Sequence, residues 1–248
     1  MGAIFMTTSM LKIFACLLML IDHMGAAFFP KIIILRMIGR LSFPIFAYLI
    51  AIGYSKTNSF YKYLYRMLIF AAISQIPFSL AFSKQVTIHN FSDFLRFIIG
   101  RPYPHLNIFF TLAIGLLAIR IWDAVVSKRF KVATVLGLGI IAEALCTDYG
   151  IYGVFMILAF HVFRDSKNKV VISQFLIYLL FNVPQILFYV YTIKNVSIDF
   201  VWFNQALSLL ALVFIFRYNG HKGKDFKYLF YVFYPLHLLI LGGIKMVL

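Results

Sequence analysis

The chain is poor in charge, in acids and in cysteine. Of its 248 residues only 12% are Asp, Glu, Lys or Arg, and only eight are acidic. A soluble globular domain carries about 25% charged and roughly 45–50% apolar residues, whereas here the hydrophobic share is 63%. So short a chain cannot hide that excess in one core. An ordinary soluble domain is excluded, and lipid becomes the solvent for much of the surface. The two cysteines, Cys16 and Cys146, sit in separate apolar runs, which excludes a disulfide framework and a cysteine metal cluster. The first ten residues have no basic stretch and no small-residue cleavage site, so the first apolar run is expected to be retained. They also fail the myristoylation pattern, with Met6 where Ser or Thr is required.

What is present is aromatic and basic. Twenty-nine Phe and fifteen Tyr suit helices in lipid with aromatic belts at both interfaces. A formal charge of +15 suggests nucleic acid at first sight, but membrane proteins keep Lys and Arg in their cytoplasmic loops. No nucleic-acid partner is expected; the lipid bilayer is. The pattern predicts an all-α, polytopic transmembrane bundle: a short extension over residues 1–9, then one helical domain over residues 10–248. About nine spans are expected: Met10–Phe29, Arg36–Tyr54, Tyr63–Phe82, Asn107–Trp122, Val132–Thr147, Gly150–Phe163, Val170–Tyr191, Phe200–Phe216 and Phe226–Val247. The clusters Lys56/Lys62/Arg66, Arg120/Lys128/Arg129/Lys131, Arg164/Lys167/Lys169 and Arg217/Lys222/Lys224/Lys227 fall in every second connection. That alternation predicts the amino terminus inside and the carboxyl terminus outside. Pro44, Pro77, Pro184 and Pro235 fall within spans and are expected to kink them. In the longest connection, Phe94 to Ile99 suggests a short interfacial helix.

An ionisable group at the bilayer centre costs at least a few kcal/mol, so those inside spans are functional candidates. Asp22 and His23 lie near the outer end of the first span, His23 roughly 9 Å below Phe29 at 1.5 Å per residue. Arg36 and Arg40, four apart, share one face of the second. His105 and Asn107 open the fourth span from outside; Glu143, Asp148 and Tyr149 sit at the outer turn after the fifth. Asn182, Gln185, Asn204 and Gln205 follow on the same side, and His237 lies near the midplane of the last span. Each has a plainer explanation. Arginines snorkel to headgroups, amides glue helices together, and single histidines often only pack. Adjacent helical residues point about 100° apart, so Asp22 is poorly placed to orient the His23 ring. Asp22 is expected to pair with Arg36 or Arg40, and the His23 ring to be oriented by Glu143 or Asp148.

Six ordered blocks then resemble the TraX family of conjugation-associated membrane proteins. They are Leu11 to Gly25, with Asp22-His23-Met24-Gly25; Ile38 to Ala47, with Gly39-Arg40-Leu41-Ser42-Phe43-Pro44; and Arg66 to Phe78. The others are Asn107 to Thr111; Thr147-Asp148-Tyr149-Gly150-Ile151-Tyr152-Gly153-Val154; and Phe233-Tyr234-Pro235-Leu236-His237-Leu238-Leu239. The resemblance implies a multi-pass protein of the bacterial cytoplasmic membrane that acetylates the amino terminus of a pilin subunit. It is also similar to multispan acyltransferases sharing a Tyr-x-x-His element, here Tyr234 to His237. Acetyl-CoA is the implied donor, a pilin-like protein or envelope component the acceptor, and no metal is called for.

Acyl transfer needs a deprotonated nucleophile and a stabilised oxyanion. His23 is the first candidate base and His237 the second; Arg40 or Asn107 would face the oxyanion. A covalent acyl-histidine is the other route. The expected catalytic set is therefore His23, Asp22, Arg40, Glu143 and His237. Arg36, His105, Asn107, Asp148, Tyr149 and Tyr234 are the expected substrate-binding set. The rivals are a transporter or flippase, which predicts ionisable groups along a path to both faces, and a non-catalytic component of a conjugation or secretion system.

Overall fold

The computed structural model describes residues 5–82, 91–99, 105–192, 205–224, 226 and 228–247. Among these, helices dominate and the only β-type pairings are two isolated parallel bridges, Met6 with Tyr218 and Leu106 with Thr147. The helices are α1 (Thr8–Ala27), α2 (Ile33–Gly39), α3 (Ser42–Lys56), α4 (Phe60–Phe82), α5 (Phe91–Ile99) and α6 (Ile108–Ala124). They continue with α7 (Lys128–Ala144), α8 (Gly150–Val162), α9 (Lys167–Thr192), α10 (Gln205–Ile215, with a 3-10 turn at Ser208–Leu210) and α11 (Leu229–Val247). Four stretches among the described residues are long and apolar enough to cross a membrane: Thr8–Ala27, Ile33–Lys56, Phe60–Phe82 and Leu229–Val247. The chain is a helical membrane protein.

Two sequence expectations change here. The second span is not one helix, because Arg40 and Leu41 form a turn between α2 and α3. Arg40 is thus a C-cap residue, its N–H still reaching the Arg36 carbonyl. The same break puts Pro44 in the first turn of α3, where a missing N–H was going to be unpaired anyway and no kink follows. Pro77, Pro184 and Pro235 do lie inside helices. The short helix expected from Phe94 exists as α5. Asn204 lies outside the described residues, as does the side chain of Gln185.

The chain divides into two compact units. The first takes Met1–Leu49 and Ala159–Lys227. In it α1 packs on α2, and glycines set the approach: a Cβ on Gly25 would meet the Leu35 Cβ at 2.8 Å, and one on Gly39 would collide with Asp22. Ser42 Oγ donates to the Ala15 carbonyl at 2.9 Å. The segment after α10 caps α1. Thr8 and Ser9 donate their N–H groups to the His221 and Lys222 carbonyls at 2.9 and 3.1 Å, satisfying donors that a helix start leaves open. Gly223, at φ +71°, fits against the Thr7 and Ser9 hydroxyls where a side chain would clash.

The second unit takes Ile50–Leu158 and Tyr228–Leu248. Its axis is the long contact between α4 and α11. Phe109 of α6 is fully buried between them, within ring contact of Phe70, Phe230, Tyr231 and Tyr234. At the far end Lys245 Nζ donates to the Ala81 carbonyl at 3.1 Å. A Cβ on Gly242 would come within 2.9 Å of the Leu80 Cβ. Overpacking of that kind costs about 1–3 kcal/mol. Gly242→Leu should therefore lower the apparent melting temperature of the detergent-purified protein, whereas Gly243→Leu should not, because its Cβ meets nothing within 4 Å.

Candidate functional site

The polar centre of the second unit begins with a short helix. α6 has 17 residues, fewer than the ~20 that cross a bilayer upright. Its start is fixed by Asn107, which is fully buried. The Asn107 side chain accepts the Phe109 N–H at 3.1 Å as an N-cap. Its Nδ2 donates to the Ala71 carbonyl and to Gln75 Oε1, both at 2.8 Å. Gln75 Oε1 also accepts the Asn107 N–H at 3.0 Å, while Gln75 Nε2 donates to the carbonyls of Ile98 (2.8 Å) and His105 (3.0 Å). Ser79 Oγ adds a second donor to the Ile98 carbonyl at 2.9 Å and so ties α5 to α4. Ala71 is the middle residue of the 23 in α4. α6 therefore starts halfway along α4, and Gln75 lies seven residues, about 10 Å, short of the end at Phe82.

A second irregular segment meets it there. The turn from α7 to α8 runs beside Leu106: the Leu106 N–H donates to the Cys146 carbonyl at 3.0 Å, and the Asp148 N–H donates to the Leu106 carbonyl at 2.8 Å. Thr111 Oγ1 lies 3.0 Å from Thr147 Oγ1 and donates to the Asp148 carbonyl. Cys146 and Tyr149 hold φ values of +48° and +68°, a region that L-residues other than Gly, Asn and Asp seldom occupy. Such conformations persist where the surroundings over-determine them, and they cluster at functional sites. Glu143 Oε2 accepts the Ile151 N–H at 3.1 Å, so it caps α8. Gly150 is required beside it, at φ +43°, because a Cβ would strike that carboxylate.

The titratable groups gather round this floor. The His105 ring stacks on Phe78 at 5.4 Å, and its Nε2 is 3.9 Å from Asp148 Oδ1. Tyr234 is 1% exposed, packs edge-on against Phe109 at 5.2 Å and lies within electrostatic reach of Asp148. One turn further along α11, the His237 ring sits 5.7 Å from that of Tyr234. His237 Nδ1 is 2.7 Å from the Phe233 carbonyl. A carbonyl only accepts, so Nδ1 carries the proton in the neutral ring and Nε2 keeps the lone pair. Of the residues expected from the sequence, the second unit brings together His105, Asn107, Glu143, Asp148, Tyr149, Tyr234 and His237. Asn107 changes role: both amide hydrogens are engaged, so it positions α6 and has none left for an oxyanion.

The first unit holds the remaining four. Arg36 donates from one terminal nitrogen to Asp22 Oδ2 at 2.5 Å and to the Asp22 carbonyl at 3.0 Å. Arg36 is therefore the partner of Asp22, and its charge is used within the protein. Gly39 backs this pair. His23 is buried, and Arg40 is half-buried at the turn before α3. Sequence reasoning missed Gln75, Thr111 and Thr147. An amide inside an apolar run, as at Gln75, was the available signal. Among the described residues no group of three His, Cys, Asp or Glu side chains is placed to hold a metal ion.

Long apolar helices carrying buried amides, histidines and an ion pair define a helical membrane protein. The family description "TraX protein" matches residues 7–245. The chain is 32% identical over 247 residues to the "Probable fimbrial assembly protein FimC, serogroup H1" of Dichelobacter nodosus, aligning 96% of this chain and 95% of that one. No solved structure matches. The chain belongs to the TraX family, and all six resembling blocks lie inside the match.

Three variants test the local roles. Glu143→Gln keeps an oxygen for the Ile151 N–H and should hold stability within about 0.5 kcal/mol, while Glu143→Leu removes the cap and should cost about 1 kcal/mol. Unchanged activity in Glu143→Gln would remove Glu143 from the catalytic set. Arg36→Ala should destabilise by about 1–3 kcal/mol, below the fully buried case because the two side chains are 28% and 12% exposed; a detergent melting curve reads all three.

Proposed function

We propose that this protein is a membrane-embedded acyltransferase of the fimbrial or pilus assembly apparatus. It moves an acetyl group from cytosolic acetyl-CoA to an amine or hydroxyl of an envelope acceptor, a pilin-like protein being the first candidate. Family membership and the fimbrial name of the Dichelobacter nodosus relative support the setting. The observation that carries the chemistry is the His237 ring, fixed at Nδ1 by the Phe233 carbonyl in the tautomer whose Nε2 bears the lone pair. A base fixed in one tautomer in a dry site suits proton removal from an attacking amine or hydroxyl.

The acceptor's nucleophile attacks the thioester carbonyl as its proton passes to the histidine. The C–S bond then breaks, and the proton is returned to the leaving thiolate. His23 is the competing base, and Arg40, at the turn before α3, supplies a cation suited to an oxyanion. In this proposal the chain lies in the bacterial cytoplasmic membrane with its amino terminus inside and its carboxyl terminus outside. It crosses about nine times, with α6 to α8 shortened. The relative's printed name equally favours a non-catalytic assembly component.

Protein in lipid nanodiscs, given radiolabelled acetyl-CoA and membrane extract, decides between them. Transfer by the wild type that falls about 100-fold or more in a still-folded His237→Ala would establish the enzyme and its base. Loss in His23→Ala alone would move the base to the first unit. Neither thioester hydrolysis nor transfer by the wild type would leave the assembly component.

A further inference from the structure

Three observations in the second unit conflict with lipid on all sides of it. First, the backbone is irregular at 105–107 and 145–149, level with Gln75 and about 10 Å short of the end of α4, although exposed irregular backbone does not occur in hydrocarbon. Second, ionisable groups at that level are open to their surroundings: the side chains of His105 and Asp148 are 53% and 30% exposed, and Glu143 is exposed. A carboxylate facing hydrocarbon at that depth costs a few kcal/mol or more. Third, the apolar wall continues past that level elsewhere in the same unit. Ile76 on α4 is 43% exposed, and Ile240 and Ile244 on α11 are 53% and 45% exposed. Gly242 lies against Leu80, so this stretch of α11 accompanies the last turns of α4. Lipid therefore covers one side of the unit about 10 Å beyond Gln75, while polar groups occupy the other side at the level of Gln75.

We infer that the ends of α6, α7 and α8 form the floor of an aqueous recess, lined by His105, Glu143, Cys146 and Asp148, that sinks about 10 Å below the end of α4 and opens to the outer face. The direction of opening rests on the orientation proposed above, which runs α4 from inside to outside; the recess itself does not. It admits hydrophilic solutes to that depth, which is what an acceptor arriving from outside requires.

Cys146 is a natural reporter, half-buried at the floor, and Cys16 is buried. In a Cys16→Ala background, intact cells and inverted vesicles are treated with a membrane-impermeant quaternary-ammonium methanethiosulfonate, and labelled protein is counted by a subsequent mass-shifting maleimide. A second variant, Cys16→Ala/Cys146→Ala/Ile76→Cys, carries its thiol on α4 at the neighbouring level. Thiols react as thiolates, which lipid suppresses. Cys146 should react from outside in intact cells about tenfold or more faster than Ile76→Cys. Equal rates at the two positions would place the membrane surface at the level of Gln75 and overturn the recess. Protection of Cys146 from both sides, with reaction only after denaturation, would overturn it as well. Labelling in inverted vesicles alone would overturn the outward opening and with it the proposed orientation, while leaving a recess on the inner side.

Discussion

The second unit depends on one buried amide pair, Asn107 against Gln75. Asn107 caps α6, bonds the Ala71 carbonyl and holds Gln75, which in turn bonds the backbone before α6 and the end of α5. Two side chains thus fix where three helices stand against one another. An unpaired amide in an apolar medium costs several kcal/mol, and that penalty enforces the register: a shift of α6 along α4 by one residue would strand at least four donors or acceptors. The depth of α6 is set by polar bonding, since apolar contacts with α4 would be about as good one turn higher.

In the first unit the ordering principle is the absence of side chains. Gly39 leaves room for Asp22, and Gly25 lets Leu35 close on α1. Close approach places the Arg36 guanidinium where one nitrogen meets both the carboxylate and the carbonyl of Asp22. Asp22 thereby remains buried without a stranded charge, which is the condition for keeping a carboxylate within a helix at all. The neighbouring His23 points to another sector of α1, as the 100° step between adjacent residues requires.

Much of this was readable from the sequence, and the limits have physical causes. Apolar runs and basic clusters reported helices and their approximate ends, because desolvation is roughly additive along a chain. Polar residues out of place, such as His105, Asp148 and His237, pointed to a cluster that the second unit does assemble. Pairing of Asp22 with Arg36 or Arg40 followed from helix geometry and charge, and the structure makes Arg36 the partner. Depth was not readable: hydropathy cannot tell a span that starts at the interface from one that starts halfway down, and Asn107 looked like an ordinary outer boundary. Nor was the turn at Arg40 and Leu41, where no glycine or proline follows the break closely enough to mark it except Pro44, which also fits an intact helix as a kink. Two local roles visible only in the structure, Asn107 as a positioning amide and Glu143 as a helix cap, share one reason. A residue type states what it can donate or accept, and only its neighbours state whether that capacity is already used.

The same accounting separates a defect from a site. Irregular backbone at membrane depth is tolerated where it is buried in protein or lines a water-filled cavity, and here its polar groups are largely paired as well. Leu106 pairs through both its N–H and its carbonyl, the Ile98 carbonyl takes two donors, and the Asp148 carbonyl is held by Thr111. Main chain is satisfied, while the side chains of His105, Glu143 and Asp148 remain partly exposed above it. A floor bonded in this way has little freedom to relax, and it can carry two residues in left-handed conformations, Cys146 and Tyr149, without melting. Rigid support beneath exposed titratable groups is what a reactive centre needs in order to hold geometry without spending substrate binding energy on it. A helix-to-helix connection serving only to reverse the chain would have no use for that rigidity about 10 Å below the end of α4.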